Sequence, residues 1–298
     1  MTVRQLLRSA RSLFADPGVP QPSPTPLLDC ECLLSHICGT TRSRLLAQDD
    51  RELTATELAQ FREAAKKRQS GLPVAYLTGK KEFFGMEFTV TPDVLIPKPD
   101  TELLVEHALS FIESLPKART PQSRPLEIAD VGTGSGCIAI PVLANATRDI
   151  RVTAIDISRA ALAIARENAA RLLPPAKQRA ITFVRSNIFS ALHSAAYTLI
   201  LSNPPYVPSK IAKTLLSDGR NEPLLALDGG EDGLDCVRAL ADQAAEHLTP
   251  DGCLLLETGE YNIDKAEHYL ASRGFREIIR YTDLGGYPRL LRAVVTAR

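Results

Sequence analysis

From Leu126 onward the chain alternates short apolar stretches with helical ones, and this alternation restricts its fold more than any other feature of its 298 residues. Strands are predicted at 126–131, 151–156, 181–185, 197–202 and 251–257, with a terminal pair near 275–281 and 290–296, and helices lie between most of them. Strands separated by helices in this way pair through crossovers, which specifies an α/β architecture: a mostly parallel, doubly wound sheet with helices on both faces. Ligands of such sheets sit where the strand order reverses, beyond the carboxyl ends of the two strands flanking that point.

The part before the sheet reads differently. Val3, Leu6, Leu7, Ala10 and Phe14 give a first amphipathic helix, and the five prolines from Pro17 to Pro26 stop it and form a stiff connector. Thr54 and Glu57 have the spacing of a capping box, and Leu58, Phe61 and Ala65 then recur on one face of a helix running to about Gln69. From Glu82 to Ile96 the pattern turns to Phe84, Phe88 and Val90 broken by Gly85 and Pro92, a hairpin closed by Pro97 and Pro99. Asp100 or Thr101 is expected to cap a helix through about Ser114, and the polar segment Pro116 to Pro125 leads into the sheet. Three segments follow: 1–75, a small helical domain; 76–125, a hairpin and helix linker; 126–298, the sheet domain.

Composition narrows the function. Thirty-five basic residues balance thirty-five acidic ones, so the chain lacks the positive field with which sequence-independent nucleic-acid binders release counterions. Lys66, Lys67 and Arg68 form the one basic cluster singled out, and it reads as a solvated helix face, with partner docking there only a hypothesis. No apolar run reaches the length of a membrane span. Arg4, Arg8 and Arg11 without an acid in the first fifteen residues are compatible with an organelle transit segment, but the same stretch suits an ordinary helix, and the cytoplasm is the expected location. Cys30, Cys32, His36 and Cys38 match no usual zinc spacing and read as reduced thiols beside Leu33, Leu34 and Ile37 on a helix; no metal is expected.

The chemistry-bearing motifs fall at strand ends. Asp130-Val131-Gly132-Thr133-Gly134-Ser135-Gly136 closes the first strand of the sheet, where glycines let the backbone turn tightly and approach a ligand. The dinucleotide fingerprint is excluded, because it needs glycine where Cys137 stands. The second strand ends at Asp156, where an acid can accept both hydroxyls of a ribose or, more simply, cap the helix that starts near Ser158. Asn187 and Ile188 follow the third strand; a polar side chain there can meet an adenine amino group or serve a turn. After the fourth come Asn203-Pro204-Pro205-Tyr206, two prolines stiffening a turn that presents the Asn203 side chain and the Pro204 carbonyl as fixed acceptors.

In this order the motifs resemble those of the class I S-adenosylmethionine-dependent amino-methyltransferases, a Rossmann-like fold of seven mostly parallel strands, in which N-P-P-Y holds the NH₂ group to be methylated. Leu95 to Glu102 (LIPKPDTE) and Glu222 to Asp235 (EPLLALDGGEDGLD) narrow the resemblance to the protein-(glutamine-N5) methyltransferases of peptide-chain release factors, the HemK/PrmC family, over nearly the whole chain. The resemblance implies methyl transfer from S-adenosyl-L-methionine to the glutamine of a Gly-Gly-Gln motif in class 1 release factors. Gly132, Thr133, Gly134, Ser135, Gly136, Asp156, Asn187, Ile188 and Asn203 would hold the cofactor, and Asn203, Pro204, Pro205 and Tyr206 the acceptor amide. The helical domain would dock the partner, and a monomer without nucleic-acid substrate is expected. Three departures stand out: Asn187 and Lys98, where the family usually has Asp and Arg, and the segment Gly286-Tyr287-Pro288-Arg289. Asn keeps an acceptor oxygen but loses the charge; Lys loses the planar fork. Rival readings are a nucleic-acid amino-methyltransferase, whose exocyclic amines the same acceptors can hold, and a cofactor-binding scaffold without turnover.

Overall fold

The computed structural model describes residues 1–16, 18–19, 21–116 and 124–295. Pro17 and Pro20 of the connector, most of the polar segment 116–125, and the last residue of the predicted strand 290–296 lie outside the described residues. The chain divides into two compact units, Met1–Lys80 with Thr214–Asn221, and Lys81–Lys213 with Glu222–Arg298.

The first unit is helical: α1 (Val3–Arg8), α2 (Ala10–Phe14), α3 (Pro26–Ile37), α4 (Arg42–Ala47), α5 (Ala55–Gln69) and α6 (Val74–Thr78). The single first helix expected from periodicity is two helices. Ser9 Oγ donates to the Leu6 carbonyl at 2.7 Å, and the chain steps out of register there. The apolar face survives the break, because Val3, Leu6, Ala10 and Phe14 all enter one core with Cys30, Leu33, Leu34, Leu45, Phe61 and Ala65. Pro26 occupies the first turn of α3, where its missing N–H costs nothing. Thr54 and Glu57 form the capping box of α5. Arg68 of the basic cluster is paired with Asp29 at 2.7 Å and is largely buried, so the cluster does not present three free charges.

In the second unit a hairpin of β1 (Lys80–Phe83) and β2 (Met86–Thr89) turns on Phe84 and Gly85, both left-handed as a two-residue hairpin turn requires. A 3₁₀ turn, Pro99–Thr101, leads into α7 (Glu102–Ser114). Neither Asp100 nor Thr101 caps that helix through its side chain, contrary to expectation; Thr101 is buried and its hydroxyl is engaged elsewhere. The sheet follows with β3 (Leu126–Val131), α8 (Ala139–Asn145), β4 (Ile150–Asp156), α9 (Arg159–Leu172), α10 (Pro175–Gln178), β5 (Ile181–Arg185), β6 (Tyr197–Ser202), α11 (Ser209–Leu216), α12 (Asp235–His247), β7 (Leu248–Glu257), α13 (Ile263–Ser272), β8 (Phe275–Thr282) and β9 (Pro288–Val295).

The seven strands lie in the order β5-β4-β3-β6-β7-β9-β8. The first five pair in parallel, and β9 runs antiparallel to both β7 and β8. From β3 the chain winds outward through β4 and β5, then returns to place β6 on the other side of β3. The order therefore reverses between β3 and β6, and a crevice opens beyond Val131 and Ser202. Val237, Leu240, Ala241 and Ala244 of α12 and Ile263, Ala266 and Leu270 of α13 pack with Leu254 and Leu256 of β7 in the core beneath one face. No helix among the described residues is long and apolar enough to cross a membrane.

Candidate active site

The crevice is held shut at its base by Ser202, whose hydroxyl donates to the Val131 carbonyl at 2.7 Å across the two strand ends. Above it lies a cavity of about 360 Å³, a size that suits a small organic ligand. Gly132, Thr133, Gly134, Ser135, Asp156, Asn187, Ile188, Asn203, Pro204 and Pro205 all line it. Two residues expected at the site do not line this cavity, Gly136 and Tyr206.

The glycine turn is tied down from beneath. Asp130, fully buried, accepts from the Thr133 hydroxyl at 2.7 Å and from the Ala139 amide at 3.1 Å, while its Oδ1 has no partner among the described residues. Burial pushes its carboxyl up to about 7. The Gly132 and Thr133 amides both donate to the Ile155 carbonyl at 2.9 Å. Gly132 and Gly134 are left-handed, and a methyl group on either would come no closer than 3.9 Å to another protein atom, so the turn presents bare backbone to open space. Gly136 answers to packing: a Cβ there would press on Ile140 Cδ1 at 2.8 Å.

Asp156 is fixed by two amides, Gly134 N–H to Oδ2 at 2.9 Å and Ser158 N–H to Oδ1 at 2.8 Å. It does not cap α9; Ser158 does, accepting from the Ala161 amide at 3.2 Å. Burial raises its pKa, and a carboxylate keeps acceptor capacity beyond two bonds. Asn187 is exposed at the cavity wall. Ile188 beside it has φ +52°, a conformation a β-branched residue rarely adopts and one that clusters at ligand sites.

Asn203 is oriented by a residue far away in the chain: its Nδ2 donates to Thr101 Oγ1 at 3.0 Å. The amide oxygen Oδ1 takes no donor among the described residues. Tyr206 donates through its hydroxyl to Glu257 Oε1 at 3.3 Å, and its carbonyl accepts from Asn262 Nδ2 at 2.9 Å. Glu257 closes β7 and is buried, and burial lifts its carboxyl to about 7; Oε1 accepts from the Tyr206 hydroxyl, while Oε2 has no partner among the described residues. Burial likewise raises the Tyr206 phenol.

The segment Glu222 to Asp235 does more than lead into α12. The Val207 amide donates to the Leu227 carbonyl and the Gly229 amide to the Val207 carbonyl, both at 2.9 Å, so the segment runs against the acceptor turn. A Cβ on Gly229 would lie 2.7 Å from the Pro205 carbonyl oxygen. Its glycines are what allow that approach. Lys98 Nζ donates to the buried Glu222 Oε1 at 2.7 Å, joining the two segments that carried the family resemblance; a point charge suffices for this single contact where the family usually has Arg.

Three functional contributors were not singled out from the sequence: Thr101 as a partner of Asn203, Glu257, and Asn262. Glu257 ends a run of three leucines, the same pattern of an acid at the end of an apolar strand that marks Asp156. Thr101 and Asn262 carry no local signal for these partners.

A sheet of this order, a glycine turn and an acid at the ends of β3 and β4, and Asn-Pro-Pro-Tyr at the end of β6 define a class I S-adenosylmethionine-dependent methyltransferase. Residues 108–219 match the methyltransferase small domain and residues 5–79 the PrmC N-terminal domain. The chain is 42% identical over 259 residues to the release factor glutamine methyltransferase of Moorella thermoacetica, covering 87% of this chain and 86% of that one. It is 40% identical over 271 residues to that of Koribacter versatilis, covering 90% and 91%. Among solved structures, the catalytic domain of hMettl16 in complex with the MAT2A 3′UTR hairpin 6 superposes with a TM-score of 0.56 at 14% identity, over 79% of this chain and 83% of that one, a likeness of fold alone. The chain belongs to the release factor glutamine methyltransferase family.

Proposed function

We propose that this chain methylates the side-chain amide nitrogen, N5, of the glutamine in the Gly-Gly-Gln motif of class 1 peptide-chain release factors, with Asn203, Pro204, Pro205 and Tyr206 as the acceptor pocket. Methyl transfer from S-adenosyl-L-methionine to a release-factor glutamine is the activity of the family to which it belongs. The observation that supports the residue roles is the Asn203 amide: with Nδ2 committed to Thr101, Oδ1 is left as an acceptor on the cavity wall.

When bound, S-adenosyl-L-methionine supplies an electrophilic methyl group. The cavity suits it, since two left-handed glycines leave bare backbone beside open space and Asp156 stands half-buried at the wall with acceptor capacity to spare. Gly132, Thr133, Gly134 and Ser135 would hold it with Asp156 at the ribose and Asn187 and Ile188 at the adenine; Gly136 keeps the turn packed on α8, and Asn203 borders both ligands. A glutamine amide is a weak nucleophile because its lone pair is shared with its carbonyl. Asn203 Oδ1 and the Pro204 carbonyl each accept one N–H, which leaves the nitrogen one orientation and fixes its lone pair toward the reacting carbon. Both are carbonyl dipoles, so they also stabilise positive charge growing on that nitrogen. Tyr206 does not line the cofactor cavity; anchored through its hydroxyl on Glu257, it packs on the acceptor amide at the far end of the turn.

The division of labour follows: residues 1–75 dock the body of the release factor, 76–125 link, and 126–298 bind cofactor and acceptor loop. In this reading the protein is a cytoplasmic monomer acting on a protein and not on nucleic acid. Incubation with S-adenosylmethionine and a release factor, followed by tandem mass spectrometry, tests it. The expected result is one added methylene on the Gly-Gly-Gln glutamine, absent with Asn203→Ala although cofactor still binds. Cofactor binding without that product points instead to a nucleic-acid amine as acceptor or to a scaffold without turnover.

A further inference from the structure

The turn from Asn203 to Tyr206 cannot hold itself in place. Pro204 and Pro205 have no N–H, so half of its residues offer the backbone no donor. The Pro204 carbonyl and the Asn203 amide oxygen are assigned to the substrate above, so neither serves as a tie. The turn must be fixed from outside, at its two ends. At one end Asn203 Nδ2 donates to Thr101 Oγ1 at 3.0 Å. At the other the tie is the carbonyl of Tyr206, and two side chains of the β7–α13 connection reach it.

Asn262 makes the closer contact. Its Nδ2 donates to the Tyr206 carbonyl at 2.9 Å and to the Gly233 carbonyl at 3.3 Å. The Tyr261 hydroxyl approaches the Tyr206 carbonyl from the exposed side at 3.5 Å, the outer limit of a hydrogen bond. A backbone carbonyl has no proton to give, so the end of Asn262 that faces two of them must be its NH₂ group, and the orientation of this amide is determined. Asn262 is 2% exposed and stands at the N-cap of α13, where an asparagine oxygen ordinarily accepts from a helix amide. It makes no such capping bond, and its Oδ1 is buried without a partner among the described residues. Both interactions it forgoes would stabilise the fold, so stability of α13 does not account for where its NH₂ points.

We propose that Asn262 is a positioning residue for methyl transfer: it pins the Tyr206 carbonyl to Gly233 and so fixes the far end of the acceptor turn, opposite the Thr101 anchor. With both ends tied, the fixed φ of the two prolines leaves little freedom between them. The Pro204 carbonyl and Asn203 Oδ1 then keep the separation needed to take the two N–H groups of one amide. Tyr206 itself is held at two points, its carbonyl by Asn262 and its hydroxyl by Glu257 Oε1 at 3.3 Å. The segment Glu222 to Asp235 enters the clamp through Gly233, which is buried, left-handed at φ +78° and free of a side chain that would overlap the Tyr206 carbonyl. Asn262 does not line the cofactor cavity and acts through Tyr206 alone. The inference rests on the acceptor roles assigned to Asn203 and Pro204 above and names what holds them in register.

The test uses the full chain with its release factor, below the melting transition of every variant. It measures single-turnover methyl transfer at saturating cofactor, the KM for the release factor and, by calorimetry, S-adenosylmethionine affinity. Asn262→Leu keeps the branched shape and removes the donor; it is expected to slow transfer by about 100-fold, the scale on which a misplaced group costs a rate. Its KM and cofactor affinity are expected to stay within about threefold of the parent, the pattern of an interaction that matters to the transition state and not to binding. Asn262→Gln keeps the NH₂ group on a chain one methylene longer and is expected to transfer about tenfold faster than leucine. Leucine preserves the bulk better than glutamine does, so a role in packing alone predicts the opposite order. The clamp is overturned if Asn262→Leu transfers at the parent rate, if glutamine is no faster than leucine, or if leucine loses cofactor affinity or KM in step with rate. Should the parent protein itself leave the glutamine unmodified while binding cofactor, the functional reading fails instead, and the two failures are told apart by that one control.

Discussion

At Gly233 the missing side chain is what lets the acceptor turn close. A Cβ there would overlap the carbonyl oxygen of Tyr206 and crowd Asn262 Nδ2 at 3.0 Å, and φ is +78°. Gly286 is equally left-handed, at φ +82°, but a Cβ on it would meet nothing within 4 Å. The pair isolates two costs that are usually confounded. Gly286→Ala should lose only about 1–2 kcal/mol, the penalty for an L-residue in the left-handed region. Gly233→Ala should lose distinctly more, by about 1–3 kcal/mol of overpacking, and should also depress methylation because Tyr206 must move. Chemical denaturation of the two variants beside the parent measures the difference; equal losses would mean that the turn relaxes freely and that the close approach is incidental.

At the scale of elements, α5 illustrates a helix whose start is specified locally. Thr54 accepts from the Glu57 amide at 3.2 Å, and Glu57 reaches back to the Thr54 amide at 2.9 Å. Arg51 pairs with Glu57 and, with the Thr54 amide, holds that carboxyl down at about 2. Thr54→Ala should therefore cost about 1 kcal/mol, the typical price of an N-cap, read as a lower melting temperature with methylation unchanged at temperatures where the protein is folded. The start of α7 is the contrasting case, because its threonine is diverted to Asn203 and the helix begins instead from a 3₁₀ turn.

For the whole molecule, two buried acids shape the pH dependence of stability. Asp130 and Glu257 have ordinary values of 3.8 and 4.5, and burial lifts both to about 7. Between about pH 4 and pH 7 the folded protein then binds more protons than the unfolded chain, so their contribution is fully present at low pH and is lost as pH rises through that window. Asp130→Asn, which cannot ionise, should flatten the fall in melting temperature from pH 4 to pH 7; an unchanged slope would show that Asp130 is ionised throughout. Docking by the helical segment makes a second prediction at this scale. A chain lacking residues 1–75 that still binds cofactor should show a far higher KM for an intact release factor than the full chain, with little change for a short Gly-Gly-Gln peptide.

The sheet and its turns were readable in advance because their signals are local. β3, β5 and β6 begin and end where the apolar runs do, and the motifs sit at strand ends because glycine, proline and acid each impose their own backbone chemistry over a few residues. The split between α1 and α2, the failure of Thr101 to cap, and the use of Ser158 in place of Asp156 as a cap were not readable, since each turns on which of several available partners a side chain takes. Asn203 and Thr101 are separated by 102 residues, and Tyr206 and Glu257 by 51. Hydrogen bonds over such separations exist only once the order β3-β6-β7 has brought the strand ends side by side. The amino-acid order thus dictated the alternation of elements and the chemistry at each turn, while the partner that the Asn203 amide takes was decided by the tertiary structure, because a threonine 102 residues away can accept from it only where the fold brings the two together.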